Sequence, residues 1–158
     1  MTANPRRKPG VFQSHRLEPI QDLSKLIIGL RGSANLLVGG EHTAPRVRRG
    51  RVGVLATPVM INLMEAAALA AVEHLLRCGC QSLGTHLDIR HFAATPVGMR
   101  IAASCELIAV NGRTLSFRVE AHDEKEPIGD GMHERVVVNV ARFDQRVQRK
   151  LDPTGAAR

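Results

Sequence analysis

The hydrophobic pattern of the chain has its longest apolar stretch near the middle. Residues 59–77 are dominated by Ala, Leu and Met, and the stretch ends before Gly79. Thr57 and Pro58 precede it, and these residue types suit an N-cap and the first helical position. The pattern therefore predicts one long helix over this stretch. Because apolar residues are distributed almost all round the helix, we expect other parts of the protein to enclose it.

Elsewhere the hydrophobic pattern alternates with a period of two, which is typical of half-buried strands. One strand with a glycine bend is expected before the helix and four strands after it, over residues 23–38, 83–92, 99–110, 114–122 and 131–143. Asn111-Gly112 separates two of these strands and predicts a tight hairpin, because a type I′ turn needs positive φ at both central positions. The pattern thus indicates an α+β protein.

The predicted elements fit a single architecture. At 158 residues the chain has the size of one domain and can bury a sizeable core. One long buried helix wrapped by a curved antiparallel sheet of about five strands is the hotdog arrangement. We expect this domain to cover residues 17–150, between a disordered basic N-terminal tail of residues 1–16 and a flexible C-terminal tail of residues 151–158.

Composition argues against several classes of protein. Four Phe residues, with no Trp or Tyr, make a base-stacking platform for nucleic acid hard to assemble. The three cysteines lack the spacing of a zinc site, which favours a reducing, cytoplasmic setting without a bound metal. We expect no cofactor. The N-terminus lacks an apolar secretory segment, and the apolar stretch 58–72 is too short to cross a bilayer.

The net charge of +7 is concentrated in two groups of basic residues. They are Arg6, Arg7, Lys8 and Arg16 in the tail, and Arg46, Arg48, Arg49 and Arg51 in the loop before the helix. Two interpretations are open: a solvated tail and loop, or an electrostatic landing surface for a polyanion such as nucleic acid or coenzyme A. The basic loop, residues 39–52, is also a candidate cover for a site.

Three polar residues are candidates for chemistry, and each has a structural alternative. Glu65 lies in the middle of the apolar helix. It is either an exposed residue or a partly desolvated base or nucleophile. His91 ends a predicted strand and is either structural or catalytic. Thr57 is either a helix cap or a site residue. Thr57 and Glu65 are separated by roughly 12 Å along one helix, so a shared site needs substrate, a bent loop or a second chain between them.

Four sequence blocks resemble the fluoroacetyl-CoA thioesterase family in order and spacing. They are LATPVMINLME at residues 55–65, LGT at 83–85, HFAATPVG at 91–98 and GMHER at 131–135. The resemblance extends over about residues 26–150. It implies a hotdog thioesterase that pairs into homodimers and hydrolyses an acyl-CoA or similar thioester to a carboxylic acid and a free thiol.

The resemblance also implies the site residues. Thr57, Glu65 and His91 occupy the family's catalytic positions, while Gly84, through its backbone, and Arg135 occupy substrate-binding positions. In that scheme Glu65 attacks the thioester carbonyl or activates water. Thr57 and backbone amides steady the oxyanion, and His91 activates or positions the water.

The chain departs from the family in one respect. The fluoroacetyl-specific enzyme covers its substrate with Phe residues, whereas no aromatic residue occurs here between Phe12 and Phe92. We therefore expect a broader acyl-CoA or other thioester substrate, with no specific nucleic acid or membrane partner. A non-catalytic acyl-CoA-binding hotdog protein and a hotdog hydratase or dehydratase are the alternatives. Neither of these would release free thiol.

Overall fold

Five strands and two α-helices make up the described part of the chain, residues 22–47 and 51–151 of this computed structural model. In chain order the elements are β1 (Arg31–Leu37), α1 (Thr57–Val72), β2 (Cys80–His91), β3 (Arg100–Asn111), β4 (Thr114–Asp123), β5 (Pro127–Asn139) and α2 (Val140–Gln148). Short 3-10 helices occur at Gly40–His42 and Glu73–Leu75. The predicted tail at 1–16, all of the predicted tail at 151–158 except residue 151, and the basic residues Arg48 and Arg49 lie outside the described residues.

The strands form one antiparallel sheet in the order β1-β3-β4-β5-β2. The hairpin between β3 and β4 is confirmed, but its two central residues differ from the prediction. Asn111 pairs with Thr114, so Gly112 and Arg113 make the turn, with Gly112 at a φ of 59°. This left-handed conformation is one that Gly adopts without steric cost.

α1 packs on one face of the sheet, mainly against β1 and β3 and less against β4 and β2. The sheet-facing residues of the helix are buried: Met60, Leu63, Met64, Ala67, Ala68, Ala71 and Val72. Alternate residues of β4 are buried as well: Leu115, Phe117, Val119 and Ala121. The predicted α+β arrangement of a helix against a five-stranded antiparallel sheet is thus confirmed. Asn62 and Ala70 on the other side of α1 are exposed, so the chain does not enclose the helix completely.

The predicted start of the first strand and the predicted end of the last strand are wrong. β1 begins at Arg31 instead of residue 23, because residues 22–30 turn, with Gly29 at a φ of 95°. β5 ends at Asn139 instead of continuing to residue 143, and α2 follows it. Asn139 caps this helix, because its side chain accepts a hydrogen bond from the Arg142 backbone N–H at 3.0 Å.

The extent of the central helical segment also differs from the prediction. α1 ends at Val72 and the chain continues through a 3-10 helix to Leu75. With this turn the helical segment Thr57–Leu75 has 19 residues, longer than the apolar stretch 58–72, and by length and composition alone it could cross a membrane. Its contacts with the sheet are those of a core helix.

Gly32 is where β1 comes closest to α1. A Cβ atom at this position would lie 2.2 Å from the backbone oxygen of Ala67 and 2.6 Å from the backbone nitrogen of Ala71. Since both atoms belong to helix backbone, a side chain fits only if strand and helix separate. The absence of a side chain at Gly32 therefore sets the distance between the helix and this edge of the sheet.

Gly32→Ala is expected to lower the free energy of unfolding by about 1–3 kcal/mol, the usual cost of overpacking a core. Urea unfolding followed by circular dichroism measures the change. Gly40→Ala is the matched control, because a Cβ there has no atom within 4 Å. Equal stability of the two variants would contradict the close contact between β1 and α1.

Candidate active site

Thr57 and His91 meet where the start of α1 lies beside the end of β2. The Thr57 Oγ1 and the His91 Nδ1 share a hydrogen bond of 2.8 Å. The interpretation of Thr57 as the N-cap is wrong, because Ala56 holds the cap position and Thr57 is the first helical residue. Its hydroxyl is therefore not occupied in capping the helix and is directed to the imidazole.

The His91 ring is neutral and can accept a proton. Burial lowers the pKa of His91 below its usual 6.5, and the nearby backbone of Ala93 opposes part of this shift. The ring is therefore neutral at neutral pH. Its Nε2 atom is buried and has no hydrogen-bond partner within residues 22–47 and 51–151. Since buried polar atoms rarely stay unpaired, this nitrogen is free to bond a further group that can reach it.

A cleft of about 440 Å³ opens beside the Thr57–His91 pair. Apart from these two residues its walls are apolar, and they include Ala44, Val47, Val54, Leu55, Pro58 and Phe92. An apolar cleft with two polar groups at one end is typical of a small-molecule site. It can hold an apolar group while presenting one bond of that molecule to the hydroxyl and the imidazole.

A second groove, of about 410 Å³, lies on the outer face of the sheet and has a different character. Charged side chains line it, and Glu106 lies 3.2 Å from the Arg31 guanidinium and 3.9 Å from that of Arg118. These groups neutralise one another on an exposed surface, where such pairs contribute little. Among the described residues, the groove therefore offers no pair of groups comparable to the Thr57 hydroxyl and the His91 imidazole.

Glu65 lies on α1 and points toward β5 and β2. Its Oε1 atom is 3.5 Å from the Arg135 Nη1 and 3.6 Å from the His133 Nε2. The side chain is 33% exposed. Glu65 is thus neither fully exposed to solvent nor buried without a partner. Its carboxylate faces a cation and keeps access to solvent.

Arg135 holds its guanidinium almost entirely inside the protein. Its Nε donates to the Ser82 Oγ at 2.8 Å, and its Nη2 donates to the Ser82 backbone oxygen at 2.9 Å. The Ser82 hydroxyl in turn donates to Glu73, whose Oε1 also accepts from the Ser82 backbone N–H at 2.9 Å. These partners compensate the buried cation. They also leave Nη1 as the nitrogen that faces Glu65.

Gly84 lies against the same carboxylate. A Cβ atom at this position would be 2.5 Å from the Glu65 Oε1 and 3.2 Å from the His133 Cε1. The strand bulges immediately after Gly84, where the pairing with β5 shifts by one residue. Gly84 therefore leaves the room that the Glu65 carboxylate occupies.

The structure brings the five predicted site residues into two groups. Thr57 and His91 form one, and Glu65, Gly84 and Arg135 form the other. The eight-residue separation of Thr57 and Glu65 corresponds to roughly 12 Å of helix, which is too far for direct contact. Within the described residues, no three His, Cys, Asp or Glu side chains lie close enough to hold a metal ion.

Sequence reasoning missed three residues of the second group: Ser82, Glu73 and His133. One signal was available for His133, since it lies two positions before Arg135 on a strand and so shares its face. Nothing comparable pointed to Ser82 or Glu73, because their link to Arg135 depends on the pairing of β2 with β5.

Comparison with known proteins identifies the relatives of this chain. The sequence profile of the family described as fluoroacetyl-CoA-specific thioesterase matches residues 38–141. A fluoroacetyl-CoA thioesterase from Streptantibioticus cattleyicolor is 44% identical over 102 residues, which are 65% of this chain and 73% of that protein.

Solved structures agree on the fold. The fluoroacetyl-CoA thioesterase FlK superposes with a TM-score of 0.74 at 36% identity, over 78% of this chain and 96% of that one. A thioesterase superfamily member from Thermus thermophilus has a TM-score of 0.74 at 26% identity, over 85% and 96%. A hot-dog-like protein from Thermanaerovibrio acidaminovorans, 22% identical with a TM-score of 0.76 over 83% and 98%, shares the fold.

The protein is a hotdog-fold thioesterase, an enzyme that hydrolyses a thioester to a carboxylic acid and a free thiol. The predicted hotdog fold and reaction class are thereby confirmed. Within that class, the chain belongs to the fluoroacetyl-CoA-specific thioesterase family, as the four sequence blocks predicted.

Gly84→Ala is expected to lower kcat by roughly 10- to 100-fold, because the added methyl group displaces the Glu65 carboxylate and misplaced reacting groups cost about this much. The clash is with the end of a flexible side chain, so the melting temperature changes little. Release of free thiol from an acyl-CoA, measured with a thiol reagent, gives the rate. Gly40→Ala is the control, and an unchanged kcat in folded Gly84→Ala would contradict the arrangement.

Proposed function

We propose that this protein hydrolyses short acyl-CoA thioesters as a homodimer, with Thr57, Glu65 and His91 as its catalytic residues. The observation that carries the proposal is the contact between the Thr57 hydroxyl and the His91 ring at one end of an apolar cleft. The His91 Nε2 adds to it, since this buried nitrogen has no hydrogen-bond partner in the part of the chain that is described, and a buried polar atom is expected to have one.

Coenzyme A thioesters are the proposed substrate class. Structures of FlK have been solved with acetyl-CoA and with fluoroacetate and CoA. In this chain the cleft walls are mostly aliphatic, and Phe92 is the aromatic residue that lines it, 54% exposed. We propose that such walls accept a range of small apolar acyl groups, because they offer surface without selecting for fluorine.

The basic loop supports a coenzyme A ligand. Arg46 and Arg51 are its described basic residues and both are exposed. Arg46 is adjacent in sequence to Val47, and Arg51 lies three residues before Val54, both of which line the cleft. Two cations beside the cleft raise the local concentration of a phosphate-bearing ligand. Of the two interpretations of the charge, we therefore propose the landing surface for coenzyme A phosphates.

The proposed reaction uses the three residues as follows. The Thr57 hydroxyl donates to the carbonyl oxygen as negative charge develops there. The neutral His91 Nε2 takes a proton from the hydrolytic water. The water oxygen bonds to the acyl carbon, the C–S bond breaks, and the leaving thiolate takes the proton back from His91. Glu65 either bonds to the acyl carbon first or takes the water proton itself. Rapid acid quenching of a single turnover, followed by mass spectrometry, distinguishes these routes, because only the covalent route leaves the acyl group bonded to Glu65.

A second copy of the chain is proposed to complete the site. β2 is an edge strand of the sheet in the described part of the chain, and Leu87 on it is 42% exposed. If two β2 strands pair antiparallel about a two-fold axis near Thr85 and His86, the His91 end of one strand lies beside the Cys80 end of the other. Thr57 and His91 of one chain then face the Glu65 group of the second chain.

Glu65→Gln is expected to lower the rate of thiol release from a panel of short and branched acyl-CoAs by at least about 100-fold, because the amide can neither attack nor take a proton. Glu106→Gln on the outer face of the sheet is the matched control and should keep the wild-type rate. Acyl-CoA binding without thiol release by the wild type would point to the binding-protein alternative. Conversion of the acyl chain without thiol release would point to the hydratase.

Mixing two inactive variants tests the shared site. Thr57→Ala and Glu65→Gln chains, co-expressed with different affinity tags, should regain about a quarter of wild-type activity, because half of the random pairs are mixed and each mixed pair has one intact site. Purification through both tags isolates the mixed dimer. If Thr57 and Glu65 of one chain served the same site, the mixed dimer would stay inactive.

We propose a cytoplasmic location for the enzyme. Cys78, Cys80 and Cys105 are all free, and Cys78 is exposed. Free thiols of this kind persist in a reducing compartment.

A further inference from the structure

We infer that His133 is a positioning residue for the catalytic carboxylate: its neutral imidazole accepts a hydrogen bond from Arg135 and so holds that guanidinium against Glu65. The inference deepens the proposed function and rests on it for its kinetic test. No charge or bond change at His133 itself is part of the reaction.

The contacts of the His133 ring define its protonation state. Its Nδ1 lies 3.0 Å from the backbone oxygen of His86, which can only accept, so Nδ1 carries a hydrogen and donates it. Its Nε2 lies 3.1 Å from the Arg135 Nη1, which can only donate, so Nε2 accepts. The neutral tautomer with hydrogen on Nδ1 satisfies both contacts. A doubly protonated ring would set an N–H against an N–H.

The surroundings favour this neutral form. His133 is fully buried and its ring stacks on Phe117 of β4, with the ring centroids 6.3 Å apart. Burial lowers the pKa of His133, and Arg135 lowers it further. The His86 backbone contact and the carboxylates of Glu65 and Glu134 act in the opposite direction. The ring is therefore neutral at neutral pH and gains a proton only below its usual 6.5.

Arg135 needs this acceptor because its other nitrogens are already held. Nε and Nη2 are bound to Ser82, which fixes the plane of the guanidinium. Within that plane, Nη1 lies between the His133 Nε2 at 3.1 Å and the Glu65 Oε1 at 3.5 Å. The shorter contact is the one to the imidazole. His133 therefore sets where Nη1 sits, and Nη1 sets where the carboxylate rests.

Protonation of His133 would break this arrangement. The ring would become a second cation 3.1 Å from Arg135 and 3.6 Å from Glu65, so it would repel the guanidinium and compete for the carboxylate. Both His91 and His133 must then be neutral for turnover. As pH falls below about 6.5, kcat/KM is expected to decline with a slope that approaches two protons.

Two substitutions separate the acceptor role of His133 from its packing. Gln reaches the Nε2 position with an amide oxygen and restores the acceptor without titrating. Asn matches the Nδ1 position, where its amide can donate to the His86 oxygen, but leaves Arg135 without its partner. His133→Asn is expected to lower kcat by about tenfold or more with little change in KM, as for loss of a hydrogen bond to a charged group. His133→Gln should recover most of that loss and reduce the acid slope to one proton.

His122→Asn is the matched control, because it removes an exposed histidine from the outer face of β4. It should keep the two-proton slope. Equal kcat losses in folded His133→Asn and His133→Gln would overturn the inference, because packing alone would then explain them. Retention of wild-type kcat by His133→Asn would overturn it as well.

A measurement on the wild-type protein tests the inference even if the His133 variants do not fold or the enzyme shows no turnover. ¹⁵N NMR of the histidine rings reports tautomer and protonation directly. A neutral His133 with hydrogen on Nδ1 at pH 7, titrating below 6.5, supports the inference. A ring protonated at pH 7, or protonated on Nε2, overturns it. Absence of thiol release by the wild type would instead refute the proposed function. The NMR spectrum would still report the tautomer and protonation of His133.

Discussion

The buried guanidinium of Arg135 is the interaction on which the rest of the site depends. A cation taken out of water is costly unless its nitrogens are hydrogen-bonded and its charge is balanced. Ser82 binds two of these nitrogens and is itself bound by Glu73, at the end of the helical segment. A strand pairing, a helix end and the carboxylate of Glu65 are therefore coupled through one side chain. Removing any one partner weakens the compensation of a charge that lies inside the protein.

The position of α1 on the sheet makes room for this network. The helix packs mainly on β1 and β3, where Gly32 permits direct contact with helix backbone. The helix-facing side of β2 and β5 is thus left for polar groups, which an apolar interface would not tolerate. The small residues of α1 and the absence of a side chain at Gly32 act together on the position of the helix. They move the helix toward one edge of the sheet and open the other edge for chemistry.

The sequence predicted the helix, the succession of strands along the chain and the family, because periodicity and motif spacing depend on neighbours along the chain. It did not predict α2, since the alternating apolar residues up to Val138 continue without a break into Val140 and only the cap at Asn139 marks the change. Thr57 was ambiguous because a hydroxyl at a helix start suits a cap equally well. Ser82 gains its role from pairing between β2 and β5, which no local pattern contains.

The cleft and the carboxylate network come from different parts of the protein. Ala44, Val47 and Val54 line the cleft from the segment before α1, whereas Arg135 and Ser82 belong to paired strands of the sheet. Side chains on connecting segments can change with little effect on core packing. If the cleft holds the acyl group as proposed, the acyl preference can be changed one loop residue at a time, without a change in the groups that hold Glu65.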